Sequence, residues 1–213
     1  MIKTIKKNLK TELPGIRSWN RMAVKHINDN NIVNEKIVKY EELLSEEKLN
    51  EMKQAAVLIC FFKKGGEYHI PLIRRPMHEK NHPGQIALPG GAREENETLE
   101  NTALREAFEE VGIIPDEVEI LGRMTPLPVP VSKYLISPFV GITEHEPKWN
   151  INKQEVDELI ILKFKDLINA DNGYYEDWNL NESVLRVPIF KIIKKEIWGA
   201  TAAVLSELID LSN

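Results

Sequence analysis

Apolar and polar positions along the chain fall into separate regimes. Residues 55–62, Ala-Ala-Val-Leu-Ile-Cys-Phe-Phe, are apolar without interruption, which suits a strand covered on both faces. Lys63-Lys64-Gly65-Gly66 supplies a turn, and 68–73 predicts the returning strand, with Pro71 placing it at an edge or an irregular ladder position. Farther on, Leu99, Ala103, Ala107 and Val111 recur at helical spacing; Thr98 can cap that helix and Gly112 can end it. Short strands are predicted at 118–121, 135–142 (entered or bent at Pro138) and 159–162, a short helix at 164–170, an extended segment at 185–190, and a C-terminal helix over 197–211. Pro126, Pro128 and Pro130 make 124–132 an ordered loop rather than a ladder. Residues 1–54 are polar and mostly helical, with Ile27, Ile32, Ile37, Leu43, Leu44 and Leu49 showing no sustained period. The expected division is a helical extension, 1–54, packed on a main domain, 55–213, with the extension a candidate contact in a homodimer.

Composition narrows the functional classes. With 213 residues, 42% hydrophobic and 29% charged, the chain can bury a substantial core. A formal net charge of −5 gives no support for wrapping nucleic acid, but it leaves room for an acidic small molecule if a local basic site or a metal supplies the attraction. Cys60 is the only cysteine, so an intrachain disulfide and a cysteine-only metal site are excluded; its apolar surroundings predict a buried thiol. No apolar run approaches the roughly 20 residues of a membrane span, and the basic start is not followed by a signal-peptide core. Cytoplasmic residence without a membrane partner is the expectation.

The candidate chemistry sits on the predicted helix at 98–111. Glu106 lies three and four residues from Glu109 and Glu110, so the three carboxylates share one side of the helix, opposite the apolar stripe. Arg105 is adjacent and can reach back toward Glu97. Carboxylates crowded in this way repel one another unless a cation intervenes, and oxygen-only donors favour Mg²⁺ or Mn²⁺. A solvated charged face is the bland alternative for Arg-Glu-x-x-Glu-Glu taken alone. The wider spacing decides between them: Gly91, five residues, Glu97, seven residues, Arg105-Glu106, an apolar residue at 107, Glu109-Glu110, Gly112 and an apolar residue at 113. This pattern resembles the Nudix hydrolase signature at all its fixed positions.

The resemblance implies an α+β fold, a mixed β-sheet sandwiched between α-helices, with the signature forming a loop-helix-loop. It implies Glu106, Glu109 and Glu110 as metal ligands with the Gly90 carbonyl as a further candidate, and Arg105 as the residue that orients them through Glu97. Glu109 is the candidate base, with Glu155 an alternative from outside the signature. The implied substrate is a nucleoside diphosphate linked to another group.

A second resemblance concerns that other group. Leu72, Arg75, His82, Gly84, Gln85, Ile86, Pro89, Gly90 and Gly91 are similar to the segment that precedes the signature in coenzyme A diphosphatases. Ile73, Pro76, Glu79-Lys80 and Leu88 depart from that pattern. The resemblance implies hydrolysis of coenzyme A or a derivative to 3′,5′-ADP and 4′-phosphopantetheine, with Arg74, Arg75, Lys80, His82 and Gln85 as candidate substrate-binding residues. Arginine suits phosphate through bidentate contacts. ADP-ribose, a nucleotide sugar or another nucleoside diphosphate derivative is the alternative substrate, and a non-catalytic nucleotide-binding module is the alternative of a different class. Trp149, Tyr134 and Phe139 are available as a wall for adenine but read first as core.

Overall fold

The computed structural model describes residues 1–27, 33–36, 39–79, 82–170, 174–180, 183–192 and 194–213. The chain begins with helices α1 (Ile2–Asn8) and α2 (Ile16–Trp19), strands β1 (Lys25–Ile27) and β2 (Val33–Lys36), and helices α3 (Tyr40–Leu43) and α4 (Glu46–Asn50). Strands β3 (Lys53–Lys64), β4 (Glu67–Arg74), β5 (Ile86–Ala87) and β6 (Gly90–Ala92) lead into helix α5 (Leu99–Val111). Then come β7 (Glu119–Arg123), β8 (Leu127–Val129), β9 (Tyr134–Ile142), β10 (Glu158–Lys163) and α6 (Phe164–Asn169). Strands β11 (Tyr174–Leu180), β12 (Ser183–Ile192) and β13 (Lys195–Ile197) precede the last helix, α7 (Gly199–Ser212).

The main sheet runs β10-β4-β3-β9-β7, with β5 on β4, β6 on β3 and β8 on β9. It is mixed: β3 and β9 pair in parallel from Lys53↔Tyr134 to Phe61↔Ile142, while its other ladders are antiparallel. The continuous apolar run of β3 follows from its place in the middle of this sheet. Ala56, Leu58 and Cys60 face Ala103, Ala107 and Val111 of α5. Ile59 and Phe61, pointing the other way, join Leu205 and Leu208 of α7 in a second cluster. This is the expected helix-sheet-helix sandwich. Cys60 is fully buried on the α5 side, and burial pushes its thiol up to about 12.

Helix α5 has the expected ends. Thr98 Oγ1 accepts from the Asn101 amide at 3.1 Å. Gly112 takes the left-handed conformation at φ 82°, and a Cβ there would come within 2.7 Å of the Asn150 nitrogen, so only glycine fits.

Three expectations are corrected. Residues 1–54 are not mostly helical throughout: β1 and β2 join a second sheet, ordered β11-β12-β1-β2 with β13 on β12. Ile32 and Ile37 lie outside the described residues. The proline-rich stretch 124–132 contains β8, whose Pro128 stands opposite Leu135 of β9. Among the described residues β8 pairs only with β9, and such an edge strand tolerates a missing donor. Strand β4 is interior rather than an edge, but its ladder with β3 ends at Phe62↔His69, two residues before Pro71, so the irregular position is the one realised.

The N-terminal segment is fastened to α7 through polar groups. Glu207, fully buried, accepts from Trp19 Nε1 at 3.1 Å, from the Gly15 and Thr125 amides at 3.3 Å each, and from Thr125 Oγ1 at 2.5 Å. Ser18 donates to Asp210, and Arg21 Nη1 meets the same carboxylate at 3.0 Å. Among the described residues, no helix is long and apolar enough to cross a membrane.

Candidate active site

Helix α5 presents Arg105, Glu106, Glu109 and Glu110 within two turns, and β6 brings the Gly90-Gly91 pair against them. Pairing of β6 with β3 sets this approach, with Gly90 opposite Val57. A Cβ on Gly91 would sit 2.5 Å from the Glu106 carboxyl group, and one on Gly90 would sit 2.3 Å from the Ala56 carbonyl oxygen. The two glycines are therefore a requirement of close backbone approach.

Arg105 is the hub. Its Nε donates to Glu97 Oε1 at 2.9 Å and its Nη2 to Glu97 Oε2 at 3.2 Å. Its Nη1 donates to Glu106 Oε1 at 2.8 Å and to Glu109 Oε2 at 2.9 Å, and Nη2 also reaches the Ala92 carbonyl at 3.2 Å. Thr102 Oγ1 gives Glu97 a further donor at 2.8 Å. The arginine hydrogen bond, aided by Thr102, holds the Glu97 carboxyl below its ordinary range, and the carboxylates in turn hold Arg105 firmly protonated. Thr102 was not foreseen; its place one turn after the cap carries no distinctive sequence signal.

The metal-candidate carboxylates differ in environment. The Glu109 side chain is 47% exposed, whereas that of Glu106 is 15%. Glu110 is buried and accepts from the Gly90 amide at 3.0 Å. Burial raises the Glu106 carboxyl and pushes Glu110 up to about 8; the charges of Glu106 and Glu155 add to the shift at Glu110, and Arg75 opposes it. Glu155 is felt at this distance because its loop is tied to the end of α5, where the Asn150 amide donates to the Val111 carbonyl and the Asn152 amide to the Glu110 carbonyl, each at 3.0 Å. The predicted residues Gly90, Glu97, Arg105, Glu106, Glu109, Glu110 and Glu155 thus gather at one place.

The substrate-side candidates are brought together only in part. Arg75 lies close enough to act on Glu110, is ion-paired with Glu79, and has an Nε that is buried without a hydrogen-bond partner. Its backbone closes the 75–85 loop against Gln85, with the Arg75 amide donating to the Gln85 carbonyl at 2.9 Å. Arg74 instead turns to Glu158 at 3.1 Å and to the Gly84 carbonyl at 3.2 Å, and Lys195 holds the same Glu158 at 2.6 Å. His82 is exposed, with φ 56°, and Lys80 lies outside the described residues. The Arg75–Glu79 pair was legible as an i,i+4 spacing; the Glu158–Lys195 contact, 37 residues apart, had no local signal. Phe139 is buried, and Trp149 packs against Phe62 with ring centroids 5.3 Å apart, so both belong to the core.

Among the described residues, no three His, Cys, Asp or Glu side chains converge closely enough to hold an ion as they stand. Arg105 takes one oxygen of Glu106 and one of Glu109. The chemistry of the donor set still fits a hard divalent cation: only oxygen donors are present, and two sequestered carboxylates stand beside a glycine strand.

Residues 52–183 match the NUDIX domain, a span that contains the glycine pair, α5 and the Glu155 loop. The chain belongs to the Nudix family. It is 32% identical over 161 residues to the uncharacterized Nudix hydrolase NudL of Pectobacterium atrosepticum, covering 75% of this chain and 83% of that one. The protein of the same name from Escherichia coli O7:K1 is 31% identical over 166 residues, covering 78% and 85%. In fold, the chain is similar to the crystal structure of the Nudix hydrolase RenU from M. smegmatis, with a TM-score of 0.52, 18% identity, and coverage of 76% of this chain and 86% of that one. The Nudix assignment makes this an enzyme that hydrolyses a nucleoside diphosphate-linked substrate.

Proposed function

We propose that this Nudix hydrolase is a divalent-metal-dependent pyrophosphatase for a nucleoside diphosphate derivative, a class that includes ADP-ribose, nucleotide sugars and coenzyme A. The observation that carries the reading is the meeting of Gly90-Gly91 with the Arg105-linked carboxylates. Glu106, Glu109 and Glu110, with the Gly90 carbonyl, would hold the cation, which supplies charge neutralisation at the phosphoryl oxygens. Glu109 is the proposed base: it is the most solvent-open of the three metal-candidate carboxylates, so it can take the proton of an attacking water as one P–O bond of the diphosphate forms and another breaks. Glu155 is the alternative base. Arg105, anchored through Glu97 and Thr102, positions Glu106 and Glu109.

Coenzyme A is the narrower reading, supported by the sequence of residues 72–91 and by Arg75 standing beside the carboxylate group with an unused Nε. Glu79, one of the departures from the coenzyme A pattern, neutralises that same arginine, which favours testing the broader class. The deciding experiment is turnover of coenzyme A, ADP-ribose, NADH and a nucleotide sugar with Mg²⁺ or Mn²⁺, products identified by mass, with Glu109→Gln as control. Release of 3′,5′-ADP from coenzyme A in clear preference to the rest supports the narrower reading. Preference for ADP-ribose or a nucleotide sugar supports the broad reading and overturns coenzyme A. Nucleotide binding without metal-dependent cleavage of any compound overturns catalysis in favour of a binding module.

A further inference from the structure

A cavity of about 470 Å³ lies between the N-terminal segment and the second sheet, lined by residues of α2, β1, β11 and β12 and their flanks. Its apolar floor includes Met22 and Phe190, which belong to the cluster on the α7 side of the main sheet, opposite α5. None of the carboxylate machinery lines it. Its volume is in the range that holds a small ligand or mononucleotide.

The lining is basic on an acidic chain. Arg17, Arg21 and Lys25 line the cavity and, among the described residues, no carboxylate does, although the whole chain carries a formal charge of −5. Arg21 is committed to Asp210 and Ser206. Among the described residues, the side chains of Arg17 and Lys25 make no hydrogen bond or ion pair, so their charge is available to a ligand. Tyr175, 43% exposed and opposite Pro188 in the ladder, stands on the same face of the sheet as Phe190. Asn20 completes the set. Its amide nitrogen donates to Glu41 at 3.2 Å.

Unpaired cations call for an anion, and an exposed tyrosine ring for a flat ring to pack against. We propose that this cleft is a second binding site, for a phosphate-bearing aromatic ligand of nucleotide size. The proposal stands apart from the catalytic reading, because it uses none of the residues on α5 or β6.

The test is equilibrium dialysis of the full chain in EDTA with two probes, ADP and inorganic pyrophosphate. Five proteins are compared: the wild type, Arg17→Gln/Lys25→Gln, Lys25→Arg, Tyr175→Ala, and Glu106→Gln/Glu110→Gln. Thermal melts establish that each is folded, and the conservative single variant Lys25→Arg keeps the charge as a control for packing. The expected result is ADP binding that weakens about tenfold or more in Arg17→Gln/Lys25→Gln, with Lys25→Arg retaining it and metal-dependent kcat unchanged. Tyr175→Ala should weaken ADP but not pyrophosphate, and Glu106→Gln/Glu110→Gln should leave ADP binding intact. The proposal is overturned if the wild type binds no ADP, if Arg17→Gln/Lys25→Gln binds it as well as the wild type, or if binding disappears with the two glutamates. Equal binding of both probes, insensitive to Tyr175→Ala, overturns the aromatic part and with it the nucleotide assignment.

Discussion

Two buried glutamates on opposite sides of the main sheet show how one residue type serves different ends. Glu207 of α7 is surrounded by donors: an indole, a hydroxyl and two backbone amides all point at its carboxyl group. Glu110 of α5 accepts one backbone amide and has the carboxylates of Glu106 and Glu155 for electrostatic neighbours. Burial raises both groups, yet only Glu207 has the hydrogen bonds that satisfy a buried acceptor from within the fold. The first arrangement joins the N-terminal segment to the last helix. The second leaves a buried carboxyl group short of donors beside a glycine strand, its proton held there by burial, where an external cation could take the proton's place.

If that contrast holds, activity and stability should respond separately at the two sites. The largest effect is expected for Glu109→Gln, which should lower kcat by about 10² to 10⁴-fold, or ~3–5 kcal/mol in activation free energy, while the melting temperature stays near that of the wild type because the side chain is 47% exposed. Steady-state kinetics beside a thermal melt checks both halves; a large drop in stability instead would make Glu109 a structural residue. Glu207→Ala should do the reverse, costing about 3 kcal/mol or more by stranding several donors, with kcat preserved below the melting transition. Urea unfolding measures the first and kinetics the second.

A smaller effect sharpens the comparison through pH. The folded-state pKa of Glu207 is raised above its ordinary 4.5, so the native protein binds this proton more tightly than the unfolded chain. Its contribution is full below the ordinary value and is lost as pH rises through the raised one. The stability advantage of the wild type over Glu207→Gln should therefore shrink as pH climbs from about 4 toward neutrality. An advantage that grows over that window would mean that the donors outweigh burial. The smallest effect is expected at the start of the catalytic helix: Thr98→Ala should cost about 1 kcal/mol by removing the cap on the Asn101 amide, with little change in kcat.

The catalytic side of the molecule was far more legible in the sequence than the other. Helix α5 combines a periodic apolar stripe, a capping threonine and a terminal glycine, all local signals, and the Glu97–Arg105 reach follows from spacing. Strand β3 was legible because a strand covered on both faces must be apolar at every position along the covered stretch. The second sheet was missed where its pairings are distant: β1 meets β12 at Lys25↔Arg186, and a three-residue strand has too little pattern to announce itself. Strand β8 was hidden by its prolines, which forbid a central position but permit an edge. Glu207 reads as an exposed charge on an apolar helix until the N-terminal segment folds over it. Arg74 and Arg75 were both expected to face substrate; Glu158 and Glu79 redirect them, and only the second of these partners is a sequence neighbour.

The parallel pairing of β3 with β9 has a consequence for how the site comes into being. Because Val57 must find Pro138 in register, the whole stretch carrying the glycine pair and α5 is a loop that this one ladder closes. Loop closure over such a span loses chain entropy before any contact compensates it, which makes this a slow, high-contact-order step. Helix α5 can begin to form early on its own caps, but its buried stripe gains a complete sheet to rest on only when β9 docks. The enzyme should therefore acquire its stability and its catalytic geometry in the same late event, with no partly folded species able to cut a diphosphate.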